Sequence, residues 1–159
     1  MNIFAKLFGL NKKREETFMG NNIYDFNCQG FAFGTYQWDY PYDRVYQGVM
    51  FQAEEDNEYL IDEYLNITVN WLLDYYCGQL RLIDNIKEVK QDEEVIAYRV
   101  GNSDFHFMKR KSNGKWYHKP GASPIQPIAQ KDVFSKVWKN RSGTTYTSEL
   151  VLFAFKKGE

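Results

Sequence analysis

The chain has 159 residues and a mass of 18.9 kDa, which is enough for one domain with its own hydrophobic core and short for two. Its 12 Phe, 12 Tyr and 4 Trp residues exclude a disordered chain, and its net charge of −1 gives no general reason to expect nucleic acid as a partner. We therefore expect a single domain, residues 1–159, with an aromatic-rich core or cleft.

Residues 1–20 begin with apolar side chains at positions 3, 4, 7 and 8, a spacing that predicts a short amphipathic segment. Lys6 interrupts the apolar run and no small-residue cleavage site follows, so this segment does not resemble a signal peptide. The sequence contains no run of 18 apolar residues that would predict an integral membrane segment. Two widely separated cysteines do not indicate a disulfide framework, and we predict a cytoplasmic protein.

The stretch DFNCQGFAFG (25–34) places Cys28 among phenylalanines and small residues. Asn27 is a preferred N-cap residue, so we predict a helix that begins at Cys28. The small residues in this helix indicate that another part of the backbone approaches it closely. Five aromatic residues follow within 36–46, around Pro41, and predict a loop that either lines a cleft or covers the core.

A second helix is predicted for residues 54–77, where apolar residues keep a 3.6-residue period and Gly78 follows as a stop signal. We expect it to be an accessory helix. The segment 51–80 carries seven acidic residues and no Lys or Arg, whereas 107–141 carries nine basic residues and one acid. This asymmetry indicates either two solvated faces of opposite charge or a cationic rim that attracts a negatively charged substrate or partner.

Strands dominate the rest of the prediction. VIAYRV (95–100) and DFHFMKRK (104–111) are strand candidates, and Asn113-Gly114 then predicts a hairpin that returns through KWYHKPG (115–121). We expect a loop over 119–130, a strand or helical turn over 131–139, and a closing strand over 146–155. Helices followed by an antiparallel sheet predict an α+β domain.

The two histidines, His106 and His118, lie on the two strands of this hairpin. A two-residue turn would place them on opposite faces of the sheet. A three-residue loop, Ser112 to Gly114, pairs His118 with Met108 and places the two imidazoles diagonally on one face, close enough for a hydrogen bond. Because a helix N-terminus and a neighbouring imidazole both lower a thiol pKa, we expect Cys28 to be the nucleophile of the site.

At these residues the sequence resembles the NlpC-like cell-wall peptidases, which are papain-fold cysteine hydrolases. DFNCQGFAFGTY is similar to the Asp-Cys-Ser-Gly-Phe helix start of that family, with Asn27 and Gln29 at the Asp and Ser positions. The segment 95–121 is similar to its succession of a strand, a His-bearing strand, an Asn-Gly turn and a strand with a second His. The resemblance implies a papain-like, NlpC-type fold in which the Cys-bearing helix packs on an antiparallel sheet. It also implies a nucleophile at Cys28, a base at His106 and an orienting residue at His118.

We therefore predict a cysteine peptidase or amidase with a Cys-His-His triad that acts on a peptide or protein substrate through a thioester intermediate. One alternative is a non-catalytic module on the same fold that binds a partner protein, for instance a phage or host factor. Another is an acyltransferase that uses the same residues. Asn140 is a second candidate for the orienting role.

No cofactor and no metal ion are expected. A zinc site built from Cys28, Cys77, His106 and His118 is a further alternative, but the sequence lacks the closely spaced ligand pairs typical of structural zinc. Oligomeric state does not follow from the sequence.

Overall fold

A computed structural model describes residues 17–42, 58–101, 104–140 and 143–158. Of the amphipathic segment predicted over 1–20, residues 1–16 lie outside this part, and Thr17–Phe18 form a short strand. Three α-helices occur in this part of the chain: α1 (Cys28–Ala32), α2 (Glu58–Tyr75) and α3 (Gln130–Val133). The strands are β1 (Thr17–Phe18), β2 (Asn21–Asn22), β3 (Leu80–Ile83), β4 (Glu94–Val100), β5 (Phe105–Arg110), β6 (Trp116–His118), β7 (Gln126–Ile128), β8 (Trp138–Lys139), β9 (Thr145–Tyr146) and β10 (Val151–Phe155). Short 3₁₀ helices cover Ile23–Asp25 and Ile86–Glu88.

Six strands form one sheet in the order β3-β10-β4-β5-β6-β7, and every pair in it is antiparallel. The pairs β1–β2 and β8–β9 form two small separate hairpins. The predicted α+β class is confirmed in this form, with an antiparallel sheet and few helices. Of the described helices, none combines the length and the apolar composition needed to cross a bilayer.

The sheet separates two apolar clusters because successive side chains of a strand point to opposite faces. On the front face, Phe105 and Phe107 of β5 pack in a cluster with Cys28 and with residues of α2. On the back face, Met108 packs in a cluster with Val133 of α3. The helix α1 therefore covers the front of β5, whereas the segment around α3 covers its back.

The start of α1 follows from local chemistry. The Asn27 side chain accepts a hydrogen bond from the backbone N–H of Gly30, at 3.0 Å, and donates one to the carbonyl of Asp39, at 2.8 Å. The predicted helix start and cap are therefore confirmed. The predicted close approach is confirmed as well, because a Cβ added at Gly30 would overlap the carbonyl oxygen of Gln37.

The helix α2 packs across the front face and is anchored by a buried polar contact. The Thr68 hydroxyl donates to the carbonyl of Tyr64, at 2.8 Å, and accepts a bond from the Tyr98 hydroxyl, at 2.6 Å. A buried hydroxyl needs such a partner. The accessory helix predicted over 54–77 is present from Glu58 to Tyr75, and residues 54–57 lie outside the described part.

The β5–β6 hairpin has the three-residue loop, one of the two turn lengths that the sequence left open. Met108 pairs with His118 and Arg110 pairs with Trp116, while Gly114 adopts a left-handed φ of 81°. A glycine tolerates that conformation without steric cost. The two histidines therefore share a face of the sheet, as expected from the three-residue alternative. It is the back face, to which Met108 also points, whereas Cys28 packs in the front-face cluster.

Two predictions on the strands need correction. The segment 119–130 is not only a loop, because Gln126–Ile128 forms β7 at the sheet edge. The closing strand 146–155 is interrupted: Tyr146 belongs to β9, and the strand of the main sheet begins at Val151. Residues 131–139, predicted as a strand or a helical turn, contain both elements. The strand β3 was not predicted.

Candidate active site

One cavity of about 880 Å³ is lined by Cys28, His106 and His118 together. The start of α1 contributes Cys28, β5 contributes His106 and the end of β6 contributes His118. Five large aromatic side chains also line it: Trp38, Tyr40, Phe105, Trp138 and Tyr146. The three residues selected from the sequence thus border one space, although the first two are 78 positions apart in the chain.

The two imidazoles are joined by a hydrogen bond between Nε2 of His106 and Nδ1 of His118, at 2.9 Å. Both rings are buried, with 2% and 7% of their residue surface exposed. Burial, joined for His106 by the proximity of His118, lowers the pKa of His106 well below its usual value. Burial also lowers the pKa of His118 to about 4. Both rings are therefore neutral near pH 7.

Aromatic rings enclose His106. The indole of Trp138 stacks on it, with centroids 4.3 Å apart and planes inclined by 11°, and the ring of Tyr146 lies 5.8 Å away. Trp138 also meets His118 edge-on at 5.5 Å. Both aromatic residues belong to the β8–β9 hairpin, which covers the histidine pair and limits its contact with water.

The Cys28 thiol is 5% exposed and belongs to the front-face cluster. Burial raises its pKa to about 12, and the backbone N–H groups of Phe107 and Gln29 and the charge of Lys119 only partly oppose this rise. The lowered thiol pKa expected at a helix start is wrong for the resting protein, because desolvation outweighs the helix N-terminus. Among the described residues, no hydrogen bond joins the sulfur to either imidazole.

An acidic group that the sequence analysis missed lies in the same cavity. Asp104 precedes β5, accepts a hydrogen bond from the Tyr146 hydroxyl at 2.6 Å, and raises the pKa of Cys28 by its charge. Asn140, the second candidate for the orienting role, instead lies near that Tyr146 hydroxyl, at 3.5 Å. The bond to His106 Nε2 comes from His118.

Two buried cations were also missed. Arg99, opposite His106 in the β4–β5 ladder, donates to the backbone carbonyls of Val133, Ser135, Lys136 and Ser148. These hydrogen bonds hold the segment that carries Trp138 against the back of the sheet. Lys119 is 0% exposed and donates to the carbonyls of Phe26 and Gly121. No sequence pattern marks a charged residue as buried, so only the structure reveals either one.

The zinc alternative gains no support from the geometry. Within the described ranges, no three His, Cys, Asp or Glu side chains are grouped closely enough to hold a metal ion. Cys77, its fourth proposed ligand, is exposed just beyond the end of α2.

The arrangement offers a thiol at a helix start, a pair of hydrogen-bonded neutral imidazoles and an aromatic-lined cavity. In comparisons with known proteins, no family model, no curated protein and no solved structure matches this chain.

Proposed function

We propose that this protein is a cysteine hydrolase of the papain-like, NlpC-type fold that cleaves a peptide or other amide bond. The observation that carries the proposal is the 2.9 Å bond between His106 and His118 inside a cavity that Cys28 also lines. Two features support the fold. The helix α1 packs on the front of an antiparallel sheet, and the histidines lie on β5 and β6, which are the third and fourth strands of that sheet in chain order.

The hydrogen bond assigns roles to the ring nitrogens. Because Nε2 of His106 is engaged by His118, Nδ1 is the nitrogen left to accept a proton. For Nδ1 to act as a base, the proton of neutral His106 must lie on Nε2 and be donated to His118 Nδ1. His118 is then the orienting residue: it holds the tautomer and the direction of the His106 ring.

The reaction would begin from a neutral thiol, since the pKa of Cys28 is raised to about 12 and that of His106 is lowered. His106 takes the thiol proton as the sulfur attacks the carbonyl carbon, and returns that proton to the leaving amine as the C–N bond breaks. This leaves a thioester on Cys28. A water molecule then attacks the thioester, with His106 again as base, and releases the carboxylic acid and the free thiol.

The negative charge on the substrate oxygen needs donors during both attacks. The first backbone N–H groups of a helix have no partner within the helix. Asn27 satisfies the N–H of Gly30, so the N–H of Cys28 is the one positioned at the nucleophile to stabilise an oxyanion.

Burst release of nitrophenol from p-nitrophenyl acetate tests the proposal, with intact-mass detection of an acetyl group on Cys28. We expect acylation in the parent protein and in Cys77→Ser, which retains Cys28. Acylation should disappear in Cys28→Ala and fall by about 10²-fold or more in His106→Ala. Acylation of Cys77 alone, or equal rates in Cys28→Ala and the parent, would contradict it.

A non-catalytic binding module on the same fold is the second candidate. It is favoured by one observation, the burial that keeps Cys28 protonated in the resting protein. An acyltransferase would use the same residues. It would form the acetyl thioester but transfer the acetyl group to an added amine faster than to water, so product analysis with a primary amine separates it from a hydrolase.

A further inference from the structure

Lys119 is a buried cation with no carboxylate partner in the described part of the chain. Its side chain is buried, and its ammonium group donates to the carbonyls of Phe26 and Gly121 and lies over the Phe26 ring, whose centroid is 4.5 Å away. An uncompensated buried charge destabilises a fold. A buried lysine without a carboxylate partner therefore indicates a role other than stabilising the fold.

The position of this ammonium relates it to Cys28. Phe26 lies two residues before Cys28, so a cation bound to the Phe26 carbonyl lies directly behind the start of α1. Lys119 directly follows His118, the last residue of β6, and its ammonium lies over the ring of Phe26, which packs with Phe31 of α1. Lys119 is thereby placed beside the segment that leads into Cys28.

We propose that Lys119 is the counter-charge of the Cys28 thiolate. It is a positioning residue that acts through its charge, and its anionic partner exists only when the Cys28 thiol is deprotonated. This inference rests on the proposed role of Cys28 as nucleophile and adds a residue to it. The charge of Lys119 lowers the pKa of Cys28, and the charge of Cys28 in turn raises that of Lys119, which burial lowers to about 8. The interaction is therefore mutual.

Lys109 provides a matched control. It is a half-buried lysine on the neighbouring strand β5, but it is paired with Glu94 at 3.4 Å and its charge is not among those that shift the Cys28 pKa. A variant at Lys109 removes a half-buried ammonium near the site without removing the charge of Lys119.

The test is the rate of Cys28 alkylation by iodoacetamide as a function of pH, measured in a Cys77→Ser background of the full chain. Since an opposite charge nearby shifts a pKa by about 1–3 units, Lys119→Met and Lys119→Gln should react at least about tenfold more slowly at neutral pH, with the pH profile displaced upward. Lys119→Arg keeps the charge and should recover most of the rate, and Lys109→Met should react like the parent.

Lys119→Gln separates charge from tethering because it keeps hydrogen-bond donors for the Phe26 and Gly121 carbonyls but carries no charge. Thermal unfolding completes the design: Lys119→Met should melt no lower than the parent, because an apolar side chain replaces an unpaired buried cation. A structural tether predicts the reverse, with a lower melting temperature for Lys119→Met and a normal alkylation profile for Lys119→Gln.

Alkylation of Cys28 that slows in His106→Ala but keeps the parental rate and pH profile in Lys119→Met would overturn the role of Lys119 and leave the proposed hydrolase intact. A Lys119→Gln variant with parental reactivity would do the same. Alkylation of Cys28 that changes in neither His106→Ala nor Lys119→Met would overturn both proposals.

Discussion

The indole of Trp138 lies flat on the imidazole of His106, 4.3 Å from centroid to centroid, and isolates the proposed base from water. Replacement by alanine should hydrate the ring and raise the pKa of His106 from its lowered value toward 6.5, because burial is the main cause of the lowering. Titration of the imidazole signals by NMR measures this directly, since the chain has two histidines. Trp138→Phe keeps an aromatic ring on His106 and should keep most of the lowering of the His106 pKa. An unchanged titration in Trp138→Ala would show that the indole does not protect His106 from water.

The histidine pair should also make stability fall in mild acid. Burial sets the pKa of His118 at about 4 in the folded protein, against 6.5 in an unfolded chain. Between these values the unfolded state binds more protons than the folded state, so the free energy of unfolding decreases as the pH is lowered through this window. The loss from His118 alone is about 3 kcal/mol at full protonation, and His106 acts in the same direction.

Urea denaturation at a series of pH values between neutrality and about pH 4 measures this loss. The His118→Gln variant should have a flatter dependence, because its side chain does not titrate. A stability that is equal across the window in the parent protein would contradict the burial of neutral imidazoles.

A methyl group at position 30 should damage both stability and the site. Gly30→Ala would raise helix propensity, yet its Cβ would overlap the carbonyl of Gln37, which also accepts a bond from the N–H of Asn27 at 3.4 Å. We expect a loss of about 1–3 kcal/mol from this overpacking, together with slower acylation of Cys28 because the helix start is displaced. Thermal unfolding and the nitrophenol burst measure the two effects.

Gly78→Ala serves as the comparison for that variant. Gly78 has a φ of 83° and no atom within 4 Å of an added Cβ, so this substitution introduces backbone strain without a clash. It should lower stability by about 1 kcal/mol and leave the acylation rate unchanged. Equal effects of the two substitutions on acylation would indicate that the close packing of Gly30 is irrelevant to the site.

The buried bond between Tyr98 and Thr68 should give an asymmetric pair of variants. Thr68→Val leaves the Tyr98 hydroxyl buried without its 2.6 Å partner and should lower the free energy of unfolding by about 1–3 kcal/mol. Tyr98→Phe should cost less, because the Thr68 hydroxyl still donates to the Tyr64 carbonyl. A double-mutant cycle measures the coupling, and strictly additive losses would mean that the bond contributes nothing.

The sequence was most informative where a local rule decides the conformation. Asn27 predicts a cap, and Asn113-Gly114 predicts a hairpin between the strands of His106 and His118. The sequence left two loop lengths open, and the structure has the one that places both histidines on one face. The strand β7 could not be recognised because it contains Pro127, which is tolerated at a sheet edge and otherwise indicates a loop.

The pKa values and buried charges of the candidate site could not be predicted from local sequence rules. A helix start and a nearby imidazole predict a low thiol pKa, but the desolvation of Cys28 at the buried start of α1 has the opposite and larger effect. The burial of Lys119 could not be predicted for the same reason: its sequence context is that of a surface lysine, and it is fully buried in the fold. Burial is a property of the tertiary arrangement, and a single sequence carries little signal for it at charged positions.

The place of β10 in the sheet has a consequence for how this molecule assembles. β10 pairs with β3 on one side and β4 on the other, so the two earlier strands are not hydrogen-bonded to each other and meet only through a segment synthesised after both. Until Val151–Phe155 inserts, β3 has no partner in the sheet and β4 presents an open apolar edge. Strand pairings between residues far apart in the chain slow folding and leave an aggregation-prone intermediate with an unpaired strand edge. Truncation before this strand should therefore yield aggregates rather than a smaller folded domain.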